Sequence, residues 1–235
     1  IMALPKLQIP EYELVVPSTQ EKIKYRPFLV KEEKVLLLAM EGEDDRQIND
    51  ALTSIVSECT FGAVDGRTAP VFDMEYIFLQ VRGKSVGETV ELNLTCPDDN
   101  KTKVSVKVDL SEVAVQMSVD HTPEIELTDD IKIVMGYPTL FSTQKSDDDS
   151  NTEMVFKLMQ GCISEIHFGD DVYKRIDISE KELDEFFGSL TSDMLAKVQE
   201  FFETMPKLRH IIDVKNPKTK KKNEVLLEGL GDFFS

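Results

Sequence analysis

Apolar and polar residues alternate in several short segments of this chain, a pattern typical of β-strands with one buried face. The clearest pair of segments is joined by residues 96–101, whose Pro, Asp and Asn residues favour a turn. Two further pairs have the same form near the start and near the end of the chain. The pattern therefore predicts three β-hairpins: 12–16 with 22–26, 89–95 with 103–108, and 210–214 with 224–227.

Between the hairpins, apolar residues recur at spacings of three and four, which predicts amphipathic helices. The stripe that begins at Ile48 is the most regular of them. Asp73 is predicted to cap a further helix that stops at Gly83, and Ser179 with Glu182 has the Ser-x-x-Glu form of a capping box. The predicted helices have the approximate bounds 30–40, 48–59, 73–82, 152–162, 179–187 and 192–205.

These elements indicate the α+β class, in which β-hairpins flank helical segments and small mixed sheets pack against amphipathic helices. Three parts are predicted along the chain. Residues 2–136 form an N-terminal α+β domain with a central β-hairpin, and residues 151–235 form a C-terminal helical domain with a closing β-hairpin. Residues 137–150 form an acidic linker or mobile loop between them, because the three adjacent carboxylates from Asp147 to Asp149 repel one another.

The charge balance of the chain narrows the classes of partner. The 235 residues include 44 Asp and Glu against 27 Lys and Arg, a formal net charge of −17. This excess of negative charge argues against binding to nucleic acid or to an anionic membrane surface. No apolar run approaches the roughly 18 residues that a membrane span needs. Cysteines at 59, 96 and 162 make no disulfide framework, so a reducing cytoplasm is the expected compartment.

The sequence contains no convincing catalytic or metal-binding motif. The three histidines are far apart in sequence, and none has a second His or Cys three or four residues away. Cys96 opens a hairpin turn in which a zinc knuckle would place a second cysteine, but Asp99 stands there. We therefore predict no catalytic residue, metal or cofactor. Composition and motif spacing alone leave two classes open: an assembly or binding module, and an enzyme whose site is invisible in one sequence.

Large apolar residues stand near both ends of the chain, where segments are usually polar. Leu230, Phe233 and Phe234 must either pack back on their own domain or insert into a partner. We predict that they contact a partner, together with Tyr25 and Phe28 of the first hairpin. For the C-terminal segment, the sequence leaves both outcomes open.

Several long stretches, which follow one another in a fixed order along the sequence, are similar to known proteins. They are 5–14, 17–19, 23–34, 36–40, 59–61, 72–80, 82–87 and 226–234, the first of which reads Pro5-Lys-Leu-Gln-Ile-Pro-Glu-Tyr-Glu-Leu14. Through these stretches the sequence resembles the T4-type phage baseplate hub family of assembly proteins and hub subunits. The resemblance implies a non-enzymatic protein that helps to build the central hub of the contractile tail's baseplate.

The resemblance also implies partners and a location. The partners are other phage baseplate hub proteins and, in one interpretation, the tape measure protein. Whether the protein also forms a homo-oligomer is left open. The protein would act in the host bacterial cytoplasm during tail assembly as a transient chaperone of hub or tape measure proteins. The alternative is a permanent subunit of the virion baseplate. Family members can carry Cys pairs in the middle hairpin, as a zinc ribbon would, whereas this sequence has only Cys96 there.

Overall fold

The computed structural model describes residues 7–42, 44–143 and 150–233 of the chain. These residues form six α-helices and eleven β-strands, so the predicted α+β class is confirmed. Within these ranges, no helix combines the length and the apolar composition that a membrane span requires. The helices are α1 Val30–Glu41, α2 Asp45–Cys59, α3 Val71–Val86, α4 Asn151–Gly161, α5 Glu180–Gly188 and α6 Ser192–Thr204. The strands are β1 Tyr12–Val15, β2 Lys22–Tyr25, β3 Thr89–Thr95, β4 Lys103–Asp109, β5 Ala114–Gln116, β6 Glu124–Glu126, β7 Ile131–Met135, β8 Ile163–Phe168, β9 Asp171–Lys174, β10 Lys207–Lys215 and β11 Lys222–Glu228.

The strands pair antiparallel, and the three predicted hairpins are confirmed as β1–β2, β3–β4 and β10–β11. Strand β5 joins β10 on its other side, which makes a three-stranded sheet in the order β11–β10–β5. Four further strands form a sheet in the order β6–β7–β8–β9. The sequence pattern did not predict β5, because three residues are too few to establish an alternation.

The chain divides into two compact units. Unit 1 comprises residues 1–116 and 207–235, and unit 2 comprises residues 117–206. The predicted boundary lay near 137–150 and assigned the closing hairpin to a C-terminal domain. In the structure β10 pairs with β5, and the closing hairpin belongs to unit 1. Of the predicted linker, residues 144–149 lie outside the described part of the chain.

A core cluster of unit 1 joins helix α3 to the β3–β4 and β10–β11 hairpins. Leu79 of α3 is buried in one cluster with Leu92 of β3 and Val108 of β4. Leu208 of β10 and Phe233 near the C-terminus belong to the same cluster, so residues from the middle and from the end of the sequence share one core. Burial of this apolar surface is the main force that holds the unit together.

Helix α3 begins earlier and ends later than the sequence predicts. Asp73 lies inside its first turn, where the carboxylate accepts hydrogen bonds from the backbone N–H (3.0 Å) and the hydroxyl of Ser18. The prediction that Asp73 caps the helix is therefore wrong; its side chain ties the β1–β2 turn to α3. The helix continues through Gly83, because one glycine costs only about 1 kcal/mol and packing outweighs it. It ends at Gly87, whose φ of +139° suits glycine.

The core of unit 2 lies between its four-stranded sheet and helices α4 to α6. Ile133, Ile163, Leu183 and Val198 are buried in one cluster. The predicted capping box at the start of α5 is confirmed, since the Ser179 hydroxyl accepts from the backbone N–H three residues on and the glutamate reaches back. This cap satisfies backbone donors that would otherwise be unpaired.

Candidate partner-binding surfaces

Helix α1 has its apolar residues on the outside. Only Glu32 and Ala39 of its twelve residues are buried. A helix that packed its apolar side on the domain would show the opposite arrangement. The residues that form this α1 surface are exposed by 46–79%: Val30, Val35, Leu37, Leu38 and Met40. Apolar exposure concentrated on one helix is typical of a surface that another protein covers.

A buried ion pair holds α1 in this orientation. The guanidinium of Arg26 lies 2.9 Å from a carboxylate oxygen of Glu32, and both side chains are less than 10% exposed. The other oxygen of Glu32 accepts from the backbone N–H of Leu29 at 2.7 Å. Burial raises the pKa of Glu32, but the bonds from Arg26 and Leu29 outweigh it and leave the pKa below its usual range. The helix is thus fixed through a charged residue, and Leu37 and Leu38 stay more than half exposed.

Unit 2 carries a second apolar surface, a groove between the sheet and α5 with a volume of about 390 Å³. Phe168 and Tyr173 are each about half exposed beside it, and all four residues of β9 are exposed at the edge of the sheet. We call this feature the β9 groove. Its apolar lining residues are Ile131, Ile166, Phe168, Tyr173, Ile178 and Phe186.

Two of the five residues predicted to bind a partner, Tyr25 and Phe233, are buried. Tyr25 is 2% exposed and Phe233 is fully buried, so these two side chains offer no surface to a partner in this conformation. Phe28 and Leu230 are half-buried. Phe234 lies outside the described residues. For Phe233 the structure shows the first of the two outcomes left open, packing back on its own unit; partner contacts of Phe28 and Leu230 stay predictions.

Polar bonds fix the C-terminal segment on α3. The backbone N–H of Leu230 donates to a carboxylate oxygen of Glu75 at 2.9 Å, and that of Glu228 donates to Asp232 at 2.8 Å. Burial raises the pKa of Glu75 to about 6, although the N–H of Leu230 opposes the shift. These bonds place Phe233 in the core rather than in solvent.

The three cysteines and His121 lie in surroundings that support the fold. All three cysteines are buried, and burial raises the pKa of Cys59 to about 11 and that of Cys162 to about 12, so both stay protonated thiols. The ring of His121 lies 3.0 Å from the hydroxyls of both Thr204 and Tyr137. Within the described ranges, no group of three or more His, Cys, Asp or Glu residues could hold a metal ion.

Hydrogen bonds connect the tips of the β3–β4 and β10–β11 hairpins, an arrangement that we call the hairpin clasp. One oxygen of Asp98 accepts from the side-chain amides of Asn216 (2.8 Å) and Asn223 (3.1 Å), and the other from the hydroxyl of Thr219. These bonds hold the pKa of Asp98 below its usual range. The clasp lies at the turn that follows Cys96, where a zinc knuckle would need a second cysteine and this sequence has Asp99.

Removal of the Asp98 carboxylate should loosen the clasp. We expect Asp98→Ala to lower the melting temperature, because three donors then lose their acceptor. The effects of Asp98→Ala and Asn216→Ala should not add in a double-mutant cycle, since both remove the same bond. An excess of EDTA should leave the wild-type melting temperature unchanged. Additive effects, or a loss of stability in EDTA, would contradict the hydrogen-bonded clasp.

Exposed apolar surfaces such as the α1 surface and the β9 groove are typical of proteins that bind other proteins. The chain matches the family model of the T4 bacteriophage base plate protein over residues 9–235, and therefore belongs to this family. This confirms the resemblance drawn from the sequence. One relative is the baseplate hub assembly protein gp26 of Enterobacteria phage T4, 22% identical over 228 residues, which are 95% of this chain and 98% of that protein. No solved structure shows significant similarity to the chain.

The α1 surface is a candidate binding surface that the sequence analysis did not predict, although a signal was present. Leu36, Leu37 and Leu38 are consecutive, and three consecutive residues span about 200° of a helix. A helix on the surface of a domain buries one stripe only, so at least one of these leucines had to be exposed. The run predicted a helix without showing which side would face the core.

Proposed function

We propose that the protein acts, without catalysis, in assembly of the central hub of the phage baseplate through contacts with other hub proteins. Membership of the base plate family and the printed name of the T4 relative support this role. The observation that carries it is the α1 surface, whose leucines are oriented toward solvent by the buried pair of Arg26 and Glu32. Such a surface gains stability when a partner covers it.

We propose in particular that the protein acts as a transient chaperone of hub or tape measure proteins in the cytoplasm of the infected bacterium. A net charge of −17 keeps a complex with an apolar client in solution, which favours this form. A permanent subunit of the virion baseplate is the alternative. The two forms differ in whether the protein remains in the finished particle.

The test is to recover the tagged protein from infected cells and to analyse purified virions by mass spectrometry. We expect the wild type to bring down hub proteins and Leu37→Asp to lose most of them, since a charge at the interface centre would be desolvated on binding. Ile211→Asp is the matched control, because Ile211 and Leu37 are both 55% exposed. Circular dichroism of both variants checks that the fold is retained.

The outcomes separate the possibilities. Hub proteins in the pull-down with none of the protein in virions would support a chaperone, and a fixed stoichiometry in virions would establish the subunit instead. If a folded Leu37→Asp variant kept its partners, the α1 surface would not be the contact. If the wild type recovered no baseplate protein at all, the proposed hub role would be rejected.

A further inference from the structure

The negative charge of the chain is concentrated in unit 2. Residues 117–206 contain 20 Asp and Glu against 7 Lys and Arg, a formal charge of −13. Unit 1 contains the remaining 24 acidic and 20 basic residues, a charge of −4, so the two units account for the total of −17. The apolar surfaces of the two units therefore have different electrostatic surroundings: α1 lies in a nearly balanced unit, and the β9 groove lies in a strongly acidic one.

The charges around the β9 groove repeat this imbalance locally. Segment 165–186, which supplies most of the groove, has eight Asp and Glu against three Lys and Arg. Two of the three basic side chains are already paired inside the segment, Arg175 with Glu180 and Lys181 with Glu185. The groove itself is lined by two exposed carboxylates, those of Asp177 and Glu182. The apolar lining residues thus form the floor of the groove, and the carboxylates of Asp177 and Glu182 form a negatively charged rim.

We infer that the β9 groove binds an apolar protein segment that carries lysine or arginine beside its apolar residues. The apolar part would cover Phe168 and Tyr173, and the basic side chains would neutralise the carboxylates of Asp177 and Glu182. The same charge argues against other occupants. The negative rim would repel an anionic membrane. A second copy of the protein would also be repelled, because unit 2 of each copy carries a charge of −13. This inference uses a surface separate from α1 and stands independently of the proposed role in the hub.

The test uses the full-length protein and two synthetic peptides as probes. One peptide is a helix with leucine and lysine arranged on opposite faces, and the other has glutamate in place of every lysine. We expect the lysine peptide to bind in a fluorescence anisotropy titration, with an affinity that falls as salt rises, and the glutamate peptide not to bind. Equal binding of the two peptides, or no binding of the lysine peptide, would overturn the inference.

Variants then separate the groove from general attraction to an acidic protein. We expect Phe168→Ser with Tyr173→Ser to weaken binding about tenfold, the range of a contact residue at an interface. The matched control, Val119→Ser with Val155→Ser, also removes two exposed apolar side chains from unit 2 and should leave the affinity unchanged. If the groove variant bound as well as the control, charge alone would hold the peptide and the inference would fail.

A second pair of substitutions keeps the test decisive should the serine variant unfold. Asp177→Asn with Glu182→Gln keeps the apolar floor and removes two charges from the rim. Glutamine at 182 retains the capping box with Ser179, because a capping box accepts Glu or Gln at that position. We expect this variant to bind the lysine peptide several-fold more weakly and to show a smaller dependence on salt. Unchanged binding at low salt would refute the role of the rim.

Discussion

Substitution of Arg26 by alanine should lower the free energy of unfolding by about 3–5 kcal/mol, the range measured when one partner of a buried ion pair is removed. The variant leaves the carboxylate of Glu32 in a site less than 10% exposed without its principal donor. The guanidinium also donates to the backbone oxygen of Pro27 at 3.0 Å, and that bond is lost as well. Urea denaturation at pH 7 measures the change.

Lys31→Ala is the matched control for this prediction. The ammonium of Lys31 contacts the same oxygen of Glu32 at 3.0 Å, but its side chain is 64% exposed. Solvent screens such a pair, so we expect a loss below about 1 kcal/mol. Equal losses for Arg26→Ala and Lys31→Ala would show that burial of the pair does not matter.

The loss of stability in Arg26→Ala should also depend on pH, in the direction that the pKa of Glu32 determines. The pKa of Glu32 lies below its ordinary value in the folded protein, so the pair stabilises the fold at neutral pH. That contribution declines once the pH falls below the ordinary glutamate pKa and is lost as it passes through the folded-state value. The difference between wild type and Arg26→Ala should therefore shrink under acid conditions.

Substitution of Phe233 by alanine should cost about 3–5 kcal/mol of stability, as for other fully buried aromatic residues. The ring lies in the core of unit 1 with Leu79 and Leu92, and its removal leaves a cavity there. Phe168→Ala makes the same change at a side chain that is 54% exposed, and should cost far less. Thermal unfolding of the two variants gives the comparison.

This prediction also decides between the two interpretations of the C-terminal segment. If Phe233 serves the core, Phe233→Ala unfolds at a lower temperature in the absence of any partner. A variant that kept its stability but lost partner binding would instead support insertion of Phe233 into a partner. The buried position of the ring and the bond from Leu230 to Glu75 support the first result.

Local patterns in the sequence predicted the local structure well. Alternation over seven residues identified β3 and alternation over six identified β4, because a strand with one buried face needs a period of two. The spacing of Ser179 and Glu182 identified the start of α5, since a capping box depends only on neighbours in sequence. Both signals concern residues close together in the chain.

Features that depend on distant residues could not be predicted in the same way. The hydroxyl of Ser18 determines the role of Asp73, although 55 positions separate the two residues. Strand β5 is recognisable only through its pairing with β10, and the outward orientation of α1 depends on Arg26 in the preceding segment. For the candidate surfaces, the sequence supplied the apolar residues, and tertiary contacts determined which of them stay exposed.

The pairing of Gln116 with Lys207 has a consequence for the order in which the protein can fold during translation. The ribosome releases β5 with an open edge, and the 90 residues of unit 2 must be made before β10 can cover it. At about 5–20 residues per second, this delay lasts roughly 5–18 seconds. During that time, Leu79 and Leu92 lack the core residues Leu208 and Phe233 that arrive last. Newly made unit 1 is therefore most prone to aggregation while unit 2 is still being synthesised.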